Sequence, residues 1–414
     1  MSETNHVVVV GAGPAGMMAS ISAAASGAKV TLIERNHLPG RKLLLSGKGR
    51  CNLTNVCRID EFLSHFNKNG EFLRDAFKIF FVSELMDFFK KKGVDLKVER
   101  QNRVFPVSDK ASFVLGALED EMRRKRVDLL TGVLFNDLVV REGEIKGVIV
   151  NNSETITGGK VILCLGGASY PLTGSDGKWF MVLKRHDIRL TKFKPALTPL
   201  VCRDNYGLNG LSLRNIRIRF QSSAGNVLLT DTGEIVFTNK GISGPLVLSA
   251  SAKVFDWLEN KQQVKAFLDI KPALSEAQIQ ERVLRQVRIS PNLSLRGLMR
   301  QFLPMRMSDI FVSVLGFDPG KDLSRLLKIE RARIAALLKR FELNIKGCHG
   351  FEDAIITRGG VCLNDIDPRT MRYRGIKGLY FCGEMIDIDA DTGGFNLQAA
   401  FSTGYLAGYS SAVG

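Results

Sequence analysis

The stretch from Val7 to Glu34 limits what this chain can fold into more than any other. It opens on Val7-Val8-Val9-Val10, a β-branched run suited to a strand buried on both faces. Gly11-Ala12-Gly13-Pro14-Ala15-Gly16 follows at once. An Ala- and Ser-rich run then reads as a small-faced helix that Gly27 ends. Lys29-Val30-Thr31-Leu32-Ile33 is a second parallel strand, and Glu34 stands at its end, 18 positions after Gly16. Strand, glycine turn, helix, strand and acid in this order make a dinucleotide-binding unit. Gly11 permits the turn, Gly13 lets the backbone approach a pyrophosphate, and Gly16 lets helix and sheet come close. Pro14 and Ala15 open the helix, whose free N–H groups face the phosphates. Glu34 is placed to accept from ribose hydroxyls, with Arg35 beside it.

At 414 residues the chain holds two or three domains. No apolar run is long enough to span a bilayer, and the first one belongs to the glycine turn rather than to a signal peptide. The seven cysteines are scattered, odd in number and without a CxxC pair, which suits a reducing cytoplasm. The five histidines lack metal-ligand spacing, so no metal site is expected. A net charge of +16 fits a solvated basic surface, an anionic substrate or, less favoured, nucleic acid. The runs Lys90-Lys91-Lys92 and Arg123-Arg124-Lys125-Arg126 lack the interleaved aromatics of a base-stacking groove.

Pro39 to Asn55 is loop chemistry, dense in Gly, cations and amides, directly after the nucleotide strand. Residues 71–92 carry a Phe-rich stripe at helical spacing, which reads as core. Val104–Val107 is a short extended segment, and 111–125 is a helix. Short strands follow within 127–150. Val161–Leu165 is a buried strand ending in Gly166-Gly167. From about 200 to 270 the side chains alternate in β fashion, and 275–345 reads as helical. The expected domains are therefore 1–195, an inserted barrel-like β module at 196–272, an inserted helical module at 273–350, and 351–414 completing the first domain. Gly378–Cys382 is a last buried strand ending in Gly383-Glu384. Thr392-Gly393-Gly394 opens a final helix, a second backbone site suited to anions.

The N-terminal glycine turn with Glu34, the strand ending in Gly166-Gly167 and the strand ending in Gly383-Glu384 together resemble the glutathione-reductase-type FAD fold. The finer motifs resemble the BaiN-like family of bacterial NAD(P)/FAD-dependent oxidoreductases, some of them aminoacetone-oxidase-like. Those motifs are Gly40-Arg41-Lys42, Ser46-Gly47-Lys48-Gly49-Arg50-Cys51-Asn52, Gly241-Ile242-Ser243-Gly244-Pro245, Thr357-Arg358-Gly359-Gly360-Val361, Gly383-Glu384 and Thr392-Gly393-Gly394-Phe395-Asn396. They run in order along nearly the whole chain. Asn239 stands where the family commonly has a histidine, and Gly174-Ser175-Asp176-Gly177-Lys178 departs from the family's usual loop.

The resemblance implies an α/β fold: a glutathione-reductase-type Rossmann domain binding FAD, with an inserted β module and helical module. It places Arg41 and Lys42 at phosphate or ribose, and Ser46, Gly49, Arg50, Cys51 and Asn52 near the isoalloxazine. Val133 offers backbone to the adenine edge. Gly383 and Glu384 meet the ribityl side, with the N–H groups around Gly394, Phe395, Asn396 and Leu397 at the flavin N1/O2 edge. Arg50 and Tyr170 are candidates for anion clamp or proton donor. No second GxGxxG follows a strand, so NADH or NADPH would reach the flavin from a shared cavity. The expected function is reduction of a small organic substrate with NAD(P)H. An amine or amino-ketone oxidase using oxygen is the alternative, and an FAD-bearing RNA-modifying protein a third. Cys51 has no suitably placed partner cysteine, which argues against a disulfide reductase.

Overall fold

The computed structural model describes residues 5–204 and 206–414. They divide into two compact units, one ending at Ala196 and resuming at Phe351–Gly414, the other Leu197–Gly350.

The first unit is built on a five-stranded parallel sheet. β1 (His6–Val10) lies at its centre, and its four valines are fully buried. α1 (Pro14–Ala25) starts with proline at its first turn, where a missing N–H costs nothing. It delivers the chain to β2 (Lys29–Glu34), parallel to β1 with Val10 opposite Ile33. Asp128–Thr131 continues the sheet beyond β2, and Lys160–Leu163 pairs with β1 on the other side. Leu379–Phe381, far along the chain, forms the outer strand next to Lys160–Leu163. The final helix, Phe395–Val413, packs along α1. Small residues permit this: a Cβ on Gly404 would strike the Ala15 carbonyl, and one on Gly408 the Ala19 carbonyl.

The aromatic stripe of 71–92 is two helices, Arg74–Ile79 and Val82–Lys91, broken at the extended Phe80-Phe81. It is core, as its spacing implied. Phe62, Phe77, Phe81 and Phe395 meet edge to face or tilted, with centroids 4.8–5.3 Å apart.

In the second unit six antiparallel strands close on themselves: Ser212–Ser222, Gly233–Phe237, Gly241–Ser243, Leu200–Cys202, Phe341–Cys348 and Val264–Asp269, which pairs back to the first. The helical reading of 275–345 is corrected at its end. The four helices between Glu276 and Lys339 are followed by a strand, because Phe341, Leu343 and Ile345 alternate inward with period 2. That strand closes the barrel. Barrel and helices therefore share one core rather than forming successive modules, with Phe311 of a helix stacked on Phe341 at 5.0 Å.

Among the described residues, no helix is long and apolar enough to cross a membrane, and no group of three or more His, Cys, Asp and Glu is arranged to hold a metal ion.

Candidate cofactor site

The parallel strands of the first unit end together around the glycine turn, the place where such sheets bind ligands. Gly11 has φ +98°, and a Cβ there would press on the Cys164 carbonyl at 2.6 Å. A Cβ on Gly16 would overlap the Gly11 carbonyl. On Gly13 it would meet nothing within 4 Å, so this side of the turn is open. No side chain caps the N-terminus of α1, which leaves its first N–H groups for an anion.

Glu34 is buried and braces this turn. Its Oε2 accepts from the Ala12 N–H at 2.8 Å, and its Oε1 from the Asn36 N–H at 2.9 Å and Nδ2 at 2.7 Å. Arg35 turns to Asp176 at 2.7 Å, and Arg41 donates to Asn36 at 2.9 Å. The Val133 N–H donates to the Glu34 carbonyl at 2.9 Å, so an adenine contact from this residue would use its own carbonyl.

Lys42 and Glu384 stand 342 residues apart in sequence and meet at 2.6 Å. Lys42 Nζ also reaches Ser169 Oγ at 2.7 Å. Ser169 Oγ donates to Glu384 Oε1 at 2.8 Å, and the Thr357 N–H reaches the same oxygen at 2.8 Å. Thr357 Oγ1 accepts from the Ala168 and Ser169 N–H groups at 2.8 and 3.1 Å. Glu384 is thus a hub joining three chain segments. The resemblance places Lys42 at phosphate or ribose and Glu384 at the ribityl side, and does not join the two.

Residues 46–52 form a tight loop with Gly47, Lys48, Gly49 and Cys51 all left-handed. Ser46 Oγ donates to the Leu43 carbonyl at 2.7 Å. Cys51 is fully buried at φ +62°, and burial pushes its thiol up to about 12. Arg50 stacks on Phe105 at 4.1 Å and pairs with Glu99 at 2.5 Å and Asp109 at 2.6 Å. A guanidinium so engaged anchors the loop.

Gly166 has φ +72°, and its carbonyl accepts from Trp179 Nε1 at 2.9 Å; a Cβ on neighbouring Gly167 would strike Thr357. Tyr170 is half-buried at φ +52°, which is strained for a bulky side chain. Burial, then the Asp353 carboxylate, raises its phenol above the usual range. The Gly383 N–H donates to Thr403 Oγ1 at 3.0 Å.

The final helix begins after left-handed Gly394, whose missing Cβ lets it lie against the Thr54 backbone; no side chain caps this end. Phe395 stacks on His65 at 4.0 Å, and Leu397 packs against the core. Asn396 ties its side chain to Ala390 N–H and carbonyl at 3.0 and 2.9 Å. Among the described residues of this unit, four buried polar atoms lack a hydrogen-bond partner: Asn52 Oδ1, Thr54 Oγ1, Ser175 Oγ and Gln398 Oε1. Such groups are costly to leave unpaired. Orphaned acceptors and hydroxyls beside two uncapped helix N-termini fit a large polar, anionic ligand such as FAD. Thr54, Ser175 and Gln398 were missed from sequence; a glutamine beside two alanines in the first turns of the final helix was the available signal.

Asp389 lies in the segment before the final helix, 8 % exposed, held by Asn67 Nδ2 with Arg358 Nε 4.0 Å away. Burial raises its carboxyl to about 6 despite these partners. The folded protein therefore binds this proton more tightly than the unfolded chain. Stability contributed here is full below the ordinary carboxylate value and is lost as pH rises to about 6, by roughly 3 kcal/mol. Asp389→Asn should remove that loss, so urea unfolding at about pH 4 and about pH 7.5 should show a smaller difference than in wild type. An equal pH dependence in the two proteins would contradict this.

The HI0933-like protein Rossmann domain model matches residues 5–410. The 3-dehydro-bile acid delta(4,6)-reductase of Clostridium scindens is 30% identical over 411 residues, 99% of both chains. The ribosomal RNA dihydrouridine synthase of Escherichia coli is 27% identical over 408 residues, 97% of both. In fold, the chain is similar to 3-ketosteroid delta1-dehydrogenase from Sterolibacterium denitrificans, with TM-score 0.51, 14% identity and coverage of 99% and 100%. With this site at the ends of its parallel strands, the chain belongs to the HI0933-like Rossmann-domain family, and it is an FAD-dependent oxidoreductase.

Proposed function

We propose that this enzyme reduces a carbon–carbon double bond conjugated to a carbonyl, drawing its electrons from NADH or NADPH. The observation that carries the reading is that two relatives matching over almost their whole length are named for adding hydrogen to such a bond. When bound, FAD supplies the hydride chemistry. The chain's part is to bind, orient and protonate. Gly11 permits the turn and Pro14 opens the helix without an N–H of its own, so the backbone N–H groups of Gly13, Ala15 and Gly16 are the ones offered to the pyrophosphate, and Glu34 accepts from ribose. The Lys42–Glu384 hub fixes the ribityl side. The N-terminus of the final helix, Gly394 to Leu397, offers N–H groups where negative charge collects on reduction. The absence of a second GxGxxG favours a nicotinamide that reaches the flavin from the substrate side.

Tyr170 is proposed as the proton donor, since a phenol with a raised pKa keeps its proton until the substrate needs it. Tyr170→Phe should lower turnover by about 100-fold while leaving flavin reduction by NAD(P)H unchanged. An equal loss in both half-reactions would sink this role.

A second reading rests on charge. Residues 197–350 carry 23 Lys and Arg against 13 Asp and Glu, ten of the sixteen net positive charges. Arg217 and Arg219 of the barrel and Arg282, Arg285 and Arg288 of a helix are exposed. Such a surface suits a polyanion, and so a uridine carried by RNA as the reducible substrate. Anaerobic stopped-flow separates these readings. The flavin should bleach with NADH or NADPH and recover its colour on adding either a small enone or a uridine-containing transcript. Failure to bleach with either nicotinamide overturns the proposal. Bleaching by a small amine instead, with peroxide on aeration, would indicate an oxidase.

A further inference from the structure

Cys164 and Cys382 face each other where the strands Lys160–Leu163 and Leu379–Phe381 end. These strands run parallel with Leu163 opposite Phe381, so the next positions are opposite as well. The Cys382 N–H donates to the Leu163 carbonyl at 3.2 Å, which continues the ladder. The two Sγ atoms are 3.0 Å apart and both residues are buried. Among the described residues no other two cysteine sulfurs are in contact. Neither thiol has a part in the binding or proton transfer set out above.

We propose that Cys164 and Cys382 form a peroxide-responsive pair that closes into a disulfide joining the two separated halves of the first unit. The two thiols give up two protons and two electrons as the S–S bond forms. Hydrogen peroxide takes both and leaves as two water molecules. Cys164 keeps 7% of its surface exposed, enough for an oxidant little larger than water. Burial, then the neighbouring Cys382 sulfur, raises the Cys164 thiol well above its usual range, so little thiolate is present and the pair closes only under sustained peroxide.

The position gives the bond a consequence. Atoms of Cys164 are the nearest contacts a Cβ on Gly11 would make, and they lie beside Gly16. Gly383, next to Cys382, lies against Ala15. A covalent link here fixes two strand ends around the start of α1 and spans 218 residues of chain. Long closed loops are where a cross-link restricts the unfolded chain most.

The holoprotein is titrated with hydrogen peroxide until Cys57 or Cys362, both half-buried, is oxidised. It is then denatured, alkylated and digested without reductant. The expected result is a joined Cys164–Cys382 peptide pair, lighter by two hydrogens than its parts and split by dithiothreitol. Cys164→Ser and Cys382→Ser each abolish it. The melting temperature of the oxidised wild type rises and returns on reduction, while Cys382→Ser shows no such rise. Recovery of Cys164 and Cys382 as alkylated thiols, or as sulfinic acids, would overturn the pair. A joined pair with an unchanged melting temperature would overturn its tying role.

Discussion

Gly404→Leu should destabilise the protein more than any of the other substitutions proposed. The final helix approaches α1 so closely that even one added carbon on Gly404 would enter the Ala15 carbonyl. Backbone cannot swing aside as a side-chain tip can, so the helices must separate. Overpacking a tight core commonly costs about 1–3 kcal/mol, and four carbons against backbone belong at or above the upper end. The melting temperature should fall by about 10 °C or more. Gly116→Ala is the matched control. Gly116 lies inside the helix Ala111–Arg124 with nothing within 4 Å of an added Cβ. That change should stabilise by roughly 0.5–1 kcal/mol through helix propensity alone. Equal effects from the two substitutions would show that the packing of α1 on the final helix carries little of the stability.

Glu384→Ala should give a protein that folds but loses flavin on gel filtration. The substitution removes the acceptor for the Thr357 N–H and for Ser169 Oγ and leaves Lys42 without its counter-ion. Leaving buried donors unpaired costs about 1–3 kcal/mol, here discounted because Lys42 and Glu384 side chains keep 25% and 21% exposure. A loss of roughly 2 kcal/mol in cofactor binding corresponds to a 30-fold weaker Kd by fluorescence titration. Lys42→Met should cost less alone, and the double variant should cost less than the sum of the two. Strict additivity would mean that the two groups act independently on the cofactor.

What could be read from sequence was local. Val7 to Glu34 contains its own strand, turn, helix and acid, so one window sufficed, and the structure forms each element there. Gly166-Gly167 and Gly383-Glu384 also end buried strands as their patterns implied. The barrel was half legible. Its strands alternate visibly, but Phe341–Cys348 arrives only after four helices, and its alternation was absorbed into the helical run before it. Contacts between distant segments left no trace in either partner. Nothing about Lys42 points to Glu384, and nothing about Cys164 points to Cys382. Arg50 shows the converse: a cation in a glycine-rich loop motif suggested an anion clamp, while Glu99 and Asp109, supplied by other segments, already hold it.

The outer strand Leu379–Phe381 and the final helix have a consequence for how the chain is made. During synthesis, residues up to Ala196 emerge with α1 and Lys160–Leu163 present but without the final helix and the outer strand that cover them. At translation speeds of about 5–20 residues per second, Cys382 follows Cys164 by roughly 10–45 seconds. In that interval the barrel and its helices, which share a core of their own, can complete folding, whereas the cofactor domain cannot. An apolar strand edge and the small-residue face of α1 stay uncovered throughout. The nucleotide turn comes early from the ribosome but is finished late, so nascent chains stalled before residue 379 should be the species that chaperones retain.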